Sequence, residues 1–245
     1  MEEEKDNNEG LLLGVDDAGR GPVLGPMVLA GCLIEKSKEH ELKTAGAKDS
    51  KLLSPSQRER ILEELRKIVK DYKYRIITPD EIDTGMGEGL NLNLIEALAA
   101  ASIINEITET LSIAQKQNLK IILDCPSINT AGWKNQLMSY VKDKKLEPKI
   151  VCEHKADFNH LVVSAASILA KVTRDAEIEK IKEQISIDFG SGYPSDPNTK
   201  AFLEQHVLDF KKERIFRESW ATWQEAKNKK LGIKQKESKQ EKLFE

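Results

Sequence analysis

Cysteine is scarce, net charge is nearly absent and no apolar run reaches bilayer length, and each shortage closes off a class of function. The three cysteines, Cys32, Cys125 and Cys152, lie far apart in apolar, strand-like settings. An odd, unpatterned set supplies neither a disulfide framework nor a Cys-x-x-Cys zinc site, and no His-rich spacing replaces it. These cysteines read as reduced core residues of a cytosolic protein. Lys and Arg number 38 against 41 Asp and Glu, a formal net charge of -3. Global charge therefore leaves no footprint of nucleic-acid binding, and any such contact must come from local basic clusters. The chain opens Met1-Glu2-Glu3-Glu4-Lys5, the opposite of a basic signal region. Without a bilayer-length apolar run, the expectation is a cytoplasmic protein with no membrane partner.

What is present suits a soluble globular protein with a heavily charged surface: 245 residues, 39% hydrophobic and 32% charged. That length buries a sizeable core in one large domain or one domain with an appendage. Apolar patterning predicts strands over 11–15, 27–35, 72–78, 120–125 and 149–153. A helix starting at Ser54, with Pro55 in its first position and Gln57 closing a capping box, is predicted to run to Lys70. Leu94, Leu98, Ala101, Ile104, Ile107 and Leu111 recur at helical spacing across 91–111. Further helices are predicted over 133–141, 159–185, 199–210 and 218–229, and residues 36–51 read as a charged loop. Strands that cluster and then alternate with helices predict a mixed sheet with helices on its faces. The division expected is a polar lead-in over 1–10, a catalytic domain over 11–187, a small helical C-terminal portion over 188–227 and a charged, disordered tail over 228–245.

Candidate chemistry concentrates in Leu11-Leu12-Leu13-Gly14-Val15-Asp16-Asp17-Ala18-Gly19-Arg20-Gly21-Pro22. A core strand runs straight into two adjacent acids, which repel and are costly to bury without a cation or a set of donors. The glycines allow close backbone approach and positive φ, and Arg20 adds a fork of donors suited to phosphate. Asp124 likewise ends a strand, and Asp157 follows the fifth one closely. If the strands ending in Asp16 and Asp124 are parallel neighbours, their acids converge at the sheet's carboxyl end, where α/β sheets carry their sites. Oxygen-only ligands suit magnesium or manganese, and two such ions about 4 Å apart serve an in-line phosphoryl displacement. Taken singly, each acid reads equally as an N-cap or a surface ion-pair partner.

The ordered set GVDDAGRGPVLGP from Gly14, KDSK over 48–51, LDCP over 123–126, KADFNHLVVSAASILAKVTRD over 155–175, GSGYPSDPNT over 190–199 and RESW over 217–220 resembles the type 2 ribonucleases H, the ribonuclease HII family. The resemblance spans about 11–223 and is stronger to the archaeal and eukaryotic branch. It implies a ribonuclease H-like fold, with a mixed five-stranded sheet flanked by helices and a small helical C-terminal portion. It also implies a two-metal magnesium or manganese site that hydrolyses the RNA strand of RNA–DNA hybrids. The same site would cut 5′ of ribonucleotides embedded in duplex DNA, leaving 3′-hydroxyl and 5′-phosphate ends.

Carried over by position, the catalytic and metal-binding carboxylates would be Asp16, Asp17, Asp124 and Asp157. The family usually has Glu where this chain has Asp17, which sets the carboxylate one methylene back. Gly19, Arg20 and Gly21 match the loop whose backbone reads the 2′-hydroxyl, the group that distinguishes RNA from DNA. Tyr193 matches the tyrosine that packs on the sugar following the ribonucleotide. Lys48, Ser50, Lys51, Lys171 and Arg174 look like backbone-phosphate contacts, which fix register without reading sequence. Lys211, Lys212, Arg214 and Arg217 form a second basic group, placed equally well for the duplex or for neighbouring glutamates. Residues 240–244 resemble a truncated form of the peptides that dock on the replication sliding clamp, and a monomer is expected otherwise. Two rivals remain open at this level: a DNA-cutting nuclease of the same fold, which needs no 2′-hydroxyl, and a non-catalytic hybrid-binding protein, which binds but does not cut.

Overall fold

A computed structural model describes residues 10–47 and 53–233. Lys48, Ser50, Lys51 and the tail segment 240–244 lie outside the described residues. Five strands, β1 (Leu11–Ala18), β2 (Met27–Glu35), β3 (Asp71–Ile77), β4 (Leu119–Asp124) and β5 (Ile150–Glu153), form one sheet in the order β3-β2-β1-β4-β5. The β1–β2 and β2–β3 pairs are antiparallel, and the β1–β4 and β4–β5 pairs are parallel. The mixed five-stranded sheet expected from the patterning is present. Its first strand is longer than the apolar run that announces it. Asp16, Asp17 and Ala18 remain paired with Ala30, Leu29 and Val28, so the acids belong to the strand itself.

Because side chains alternate across a strand, β1 divides its residues between two cores. Leu11, Leu13 and Val15 join one apolar cluster with Leu29, Leu33, Ile121 and Leu123. That face is covered by α4 (Leu92–Glu109) and α6 (Thr130–Tyr140), which contribute Ile103, Ile107, Trp133 and Leu137. Leu12 joins the opposite cluster with Val28, Cys32, Ile34 and Ile122, under α2 (Pro55–Ile68) and α8 (Leu161–Ile185). Gly14 is what lets α8 lie this close: a Cβ there would sit 2.4 Å from the Val162 carbonyl.

Local chemistry sets the helix starts. Ser54 caps α2 through the predicted reciprocal box with Gln57, and Asn91 caps α4 by accepting from the Leu94 N–H. Three short helices were not predicted: α1 (Glu39–Thr44), within the stretch expected to be a charged loop, and α3 (Pro79–Gly87) and α5 (Ile113–Gln117), in stretches given no element. The last two carry full capping boxes, Thr78 with Glu81 and Ser112 with Gln115. After β5, α7 (Ala156–Asn159) precedes α8, so residues 156–185 form two helices, broken at an extended His160.

A third apolar cluster joins Val23 and Leu24, on the β1–β2 loop, to Ile178 and Ile185 of α8. It also takes in Phe202 and Leu203 of α9 (Pro197–His206) and Trp223 of α10 (Ala221–Leu231). The helix α10 extends to Leu231, beyond the start expected for the charged tail. Lys229 and Lys230 complement its C-terminal dipole, and Gly232, at φ +67°, closes it. Among the described residues no helix is long and apolar enough to cross a membrane.

Candidate active site

The β1–β4 register pairs Val15 with Leu123, so the next residues, Asp16 and Asp124, lie side by side at the carboxyl ends of two parallel strands. By strand alternation these two acids point to the α8 side and Asp17 to the α4 side. The surroundings agree with that division. Asp16 is 6% exposed and hydrogen-bonds the side chain of Ser167 on α8, whose hydroxyl also receives the Lys171 ammonium. Asp17 feels the charge of Glu96 on α4. The Asp124 Oδ1 accepts from the Ala156 N–H at 2.8 Å, which fastens the end of β4 to the start of α7 and brings Asp157 to the same place.

These four acids line one wall of a cleft of about 420 Å3. Gly19, Arg20, Gly21, Arg174 and Tyr193 line the other, and Lys171 also opens into it. All the predicted site residues that the structure describes are therefore brought together. Gly19 needs its lack of a side chain: φ is +85°, and a Cβ would stand 2.3 Å from the Arg174 Nε. Arg174 is buried at 5% exposure, donates to the Ser191 carbonyl at 3.0 Å and stacks its guanidinium 5.2 Å from the Tyr193 ring centre. It thus braces the tyrosine against the glycine loop. A Cβ on Gly21 would meet the same ring at 3.7 Å.

Arg20 directs both terminal nitrogens at α4. It ion-pairs with Glu96 and donates to the Asn93 Oδ1 at 2.7 Å, so its fork is engaged by protein. Glu96 is 2% exposed and was not anticipated. The signal was available, because residues 96, 100, 103 and 107 fall on one helical stripe whose other members are apolar core. Arg58 of α2, paired with Asp175 at 3.2 Å, also lines the cleft and was likewise missed. Arg217 corrects the reading of a surface basic group: it is fully buried, whereas Arg214 is exposed and pairs with Asp80.

The acids are held at an electrostatic cost. Burial, then the charges of Asp17 and Asp124, push the Asp16 carboxyl well above the usual range. Burial and Glu96 raise Asp17 to about 7, and burial raises Glu96 to about 7 against the pull of Arg20. Crowded carboxylates with oxygen-only donors suit a hard divalent cation, which would reverse these shifts. The donor set fits such an ion in charge and chemistry. Among the described residues, no group of three His, Cys, Asp or Glu side chains could hold one ion, and magnesium commonly takes one or two carboxylates and completes its shell with water or phosphate.

A carboxylate cleft at the paired ends of β1 and β4, in a sheet ordered 3-2-1-4-5 and flanked by helices, defines a ribonuclease H-like nuclease fold. The solved ribonuclease H2 from Pyrococcus horikoshii OT3 superposes with a TM-score of 0.75 at 37% identity, covering 90% of this chain and 99% of that one. A ribonuclease HIII crystallised with Mn2+ shares the fold at 18% identity and a TM-score of 0.76, covering 92% of this chain and 71% of that one. The profile of the family described as ribonuclease HII matches residues 13–223. A ribonuclease HII of Methanococcus maripaludis is 43% identical, covering 86% of this chain and 85% of that protein. One from Methanocaldococcus jannaschii is 42% identical over 86% of this chain and 93% of its own length. The chain belongs to the ribonuclease HII family and is a ribonuclease H-type hydrolase. The family cleaves the RNA of RNA–DNA hybrids.

Proposed function

We propose that this protein is a metal-dependent endonuclease. It cuts the RNA strand of RNA–DNA hybrids and the 5′ side of ribonucleotides embedded in duplex DNA, leaving 3′-hydroxyl and 5′-phosphate ends. The observation that carries this reading is the pairing, in one cleft, of the four-acid wall with the Gly19–Gly21 loop and Tyr193. Asp16, Asp17, Asp124 and Asp157 would hold magnesium or manganese. Bound there, the ions would supply an activated water and charge neutralisation at the phosphodiester.

The remaining work falls to the chain itself. The Gly19–Gly21 backbone receives the ribose and reads its 2′-hydroxyl as donor and acceptor. Tyr193, 38% exposed and braced by Arg174, presents its ring to the sugar that follows, where a second 2′-hydroxyl would crowd it. Lys171, at the cleft, and the Lys48–Lys51 segment hold the phosphates and fix register. The test is cleavage of three duplexes of one sequence in magnesium and in manganese: an RNA–DNA hybrid, a DNA duplex with one ribonucleotide, and all DNA. Cutting of the first two alone is expected. Cutting of all-DNA duplex would identify a DNA nuclease of the same fold, and binding without cutting a hybrid-binding protein.

The C-terminal residues 240–244 are proposed to dock on a sliding clamp. In support, a solved complex of PCNA with an Archaeoglobus fulgidus ribonuclease HII contains a chain 35% identical to this one, with a TM-score of 0.71 and coverage of 86% and 95%. Removing residues 238–245 is expected to abolish clamp binding, and an unchanged affinity would retire the idea.

A further inference from the structure

Arg217, from the RESW segment, is fully buried and is not among the residues that line the cleft. Its guanidinium donates three hydrogen bonds, all to main-chain carbonyls of the β1–β2 connection: Gly19 at 2.6 Å, Arg20 at 2.9 Å and Gly25 at 3.0 Å. The same segment is stitched to the loop by the Arg217 N–H to the Val23 carbonyl and the Gly25 N–H to the Ile215 carbonyl, both 2.9 Å. Trp220 backs the guanidinium, with its ring centre 5.0 Å away. Burial and the nearby Arg174 charge push Arg217 down to about 9, so this cation is held at a cost.

Peptide planarity gives these contacts a consequence on the other side of the loop. In a trans peptide the carbonyl of one residue and the N–H of the next lie in one plane and point in opposite directions, and the described chain has no cis bonds. Holding the Gly19 and Arg20 carbonyls toward Arg217 therefore turns the N–H groups of Arg20 and Gly21 the opposite way. Both residues line the cleft.

We infer that Arg217 is a positioning residue for sugar recognition: by fixing two successive peptide planes from behind, it aims the Arg20 and Gly21 amides at the ribose 2′-hydroxyl. The role rests on the functional reading above and deepens it. A planar fork is required, because an ammonium is a point charge that cannot hold three carbonyls in one plane. Arg217→Lys thus keeps the charge and loses the alignment, and Arg217→Gln loses both.

The test measures binding of a one-ribonucleotide duplex and of the same all-DNA duplex, in magnesium, with Asp16→Asn present throughout to prevent cleavage. With Arg217 intact, the ribonucleotide duplex is expected to bind more tightly. Either substitution should cut that preference about tenfold, as for one well-placed hydrogen bond, with all-DNA affinity nearly unchanged. A preference that survives both substitutions, or two affinities that fall together with the melting temperature, would overturn the role of Arg217. No preference with Arg217 intact would overturn the functional reading itself. Hydrogen exchange on the Asp16→Asn protein with Arg217 intact needs no Arg217 variant to fold. Arg20 and Gly21 amides should gain protection with the ribonucleotide duplex and not with all DNA, and equal protection counts against the inference.

Discussion

On one wall of the cleft, Asp16, Asp17 and Asp124 crowd one another with Lys171 and Arg20 as the cations that offset them. On the other, the guanidiniums of Arg20 and Arg174 are engaged by Glu96 and Asn93 and by the Ser191 carbonyl and Tyr193 ring, while Arg217, which does not line the cleft, holds three carbonyls of the same loop. The acid wall is under-neutralised, the state that favours cation uptake. The loop wall is cross-braced, which suits the hydroxyl recognition proposed for it. On the proposed function, chemistry at the first wall needs charge, and discrimination at the second needs fixed geometry.

Breaking the acid wall should have the largest effect. Asp16→Asn keeps the shape and the Ser167 contact but removes the charge at the junction of β1 and β4. Cleavage of a one-ribonucleotide duplex is expected to fall by at least roughly a thousandfold, the scale of losing one preorganised electrostatic group, while duplex binding stays largely intact. Undiminished cleavage would sink the site assignment. The loop wall should break differently. Gly19→Ala meets both a positive φ and the Arg174 side chain, and should cost about 1–3 kcal/mol of stability. A loop displaced by about 1 Å should lower cleavage roughly a hundredfold. Thermal melts and kinetics on the same preparation check both parts. Normal activity with lowered stability would show that the loop tolerates movement.

A pH series sharpens the comparison, because Asp17 of the acid wall and its neighbour Glu96 have carboxyls raised to near neutrality. Asp17 and Glu96 are both raised to about 7 from 3.8 and 4.5. The folded protein therefore holds protons that the unfolded chain releases. The stability of the metal-free protein is greatest, as regards these groups, below about pH 4 and is lost as pH rises through about 7. Magnesium competes with those protons, so its stabilisation should grow over the same window. At a hundredfold excess over its dissociation constant it should add about 2.7 kcal/mol, roughly 5–10 °C for a domain of this size. Melting curves at pH 5 and pH 8, with and without magnesium, test this. A magnesium effect that is equal at both pH values would show that the carboxylates are not the binding groups.

The two walls also differed in how far they could be read from sequence. The acid wall rests on local signals: an apolar strand running into Asp16, a second ending in Asp124, and a parallel register that brings them together. The loop wall rests on contacts between distant segments. Arg217 sits among Lys211, Lys212 and Arg214 in the chain, and its local composition reads as surface. Its burial is decided by carbonyls nearly two hundred residues earlier. Glu96 is the intermediate case, an acid on an apolar helical stripe, visible once the stripe is counted. The helices α3 and α5 were missed because they are too short for periodicity to show, although the capping residues of Thr78-Pro79-Asp80-Glu81 and Ser112-Ile113-Ala114-Gln115 announce them.

The smallest expected effect falls at Asp17, where the resemblance to the family breaks. This residue sits on the α4 face of β1, close enough to Glu96 for that charge to raise it. Restoring the usual residue, Asp17→Glu, adds one methylene and carries the carboxylate further from its strand without changing net charge. If Asp17 reaches a metal through water, the longer side chain should replace that water with a direct oxygen. The magnesium concentration giving half-maximal cleavage should then fall, by less than about tenfold, or below about 1.4 kcal/mol. Magnesium demands near-ideal octahedral geometry, so manganese, which is less exacting, should gain less. Titrating both ions against Asp17→Glu and the unsubstituted protein separates the cases. Equal half-saturation in both would mean that the backbone of β1 has already moved in to compensate, and that Asp17 serves the site at its present length.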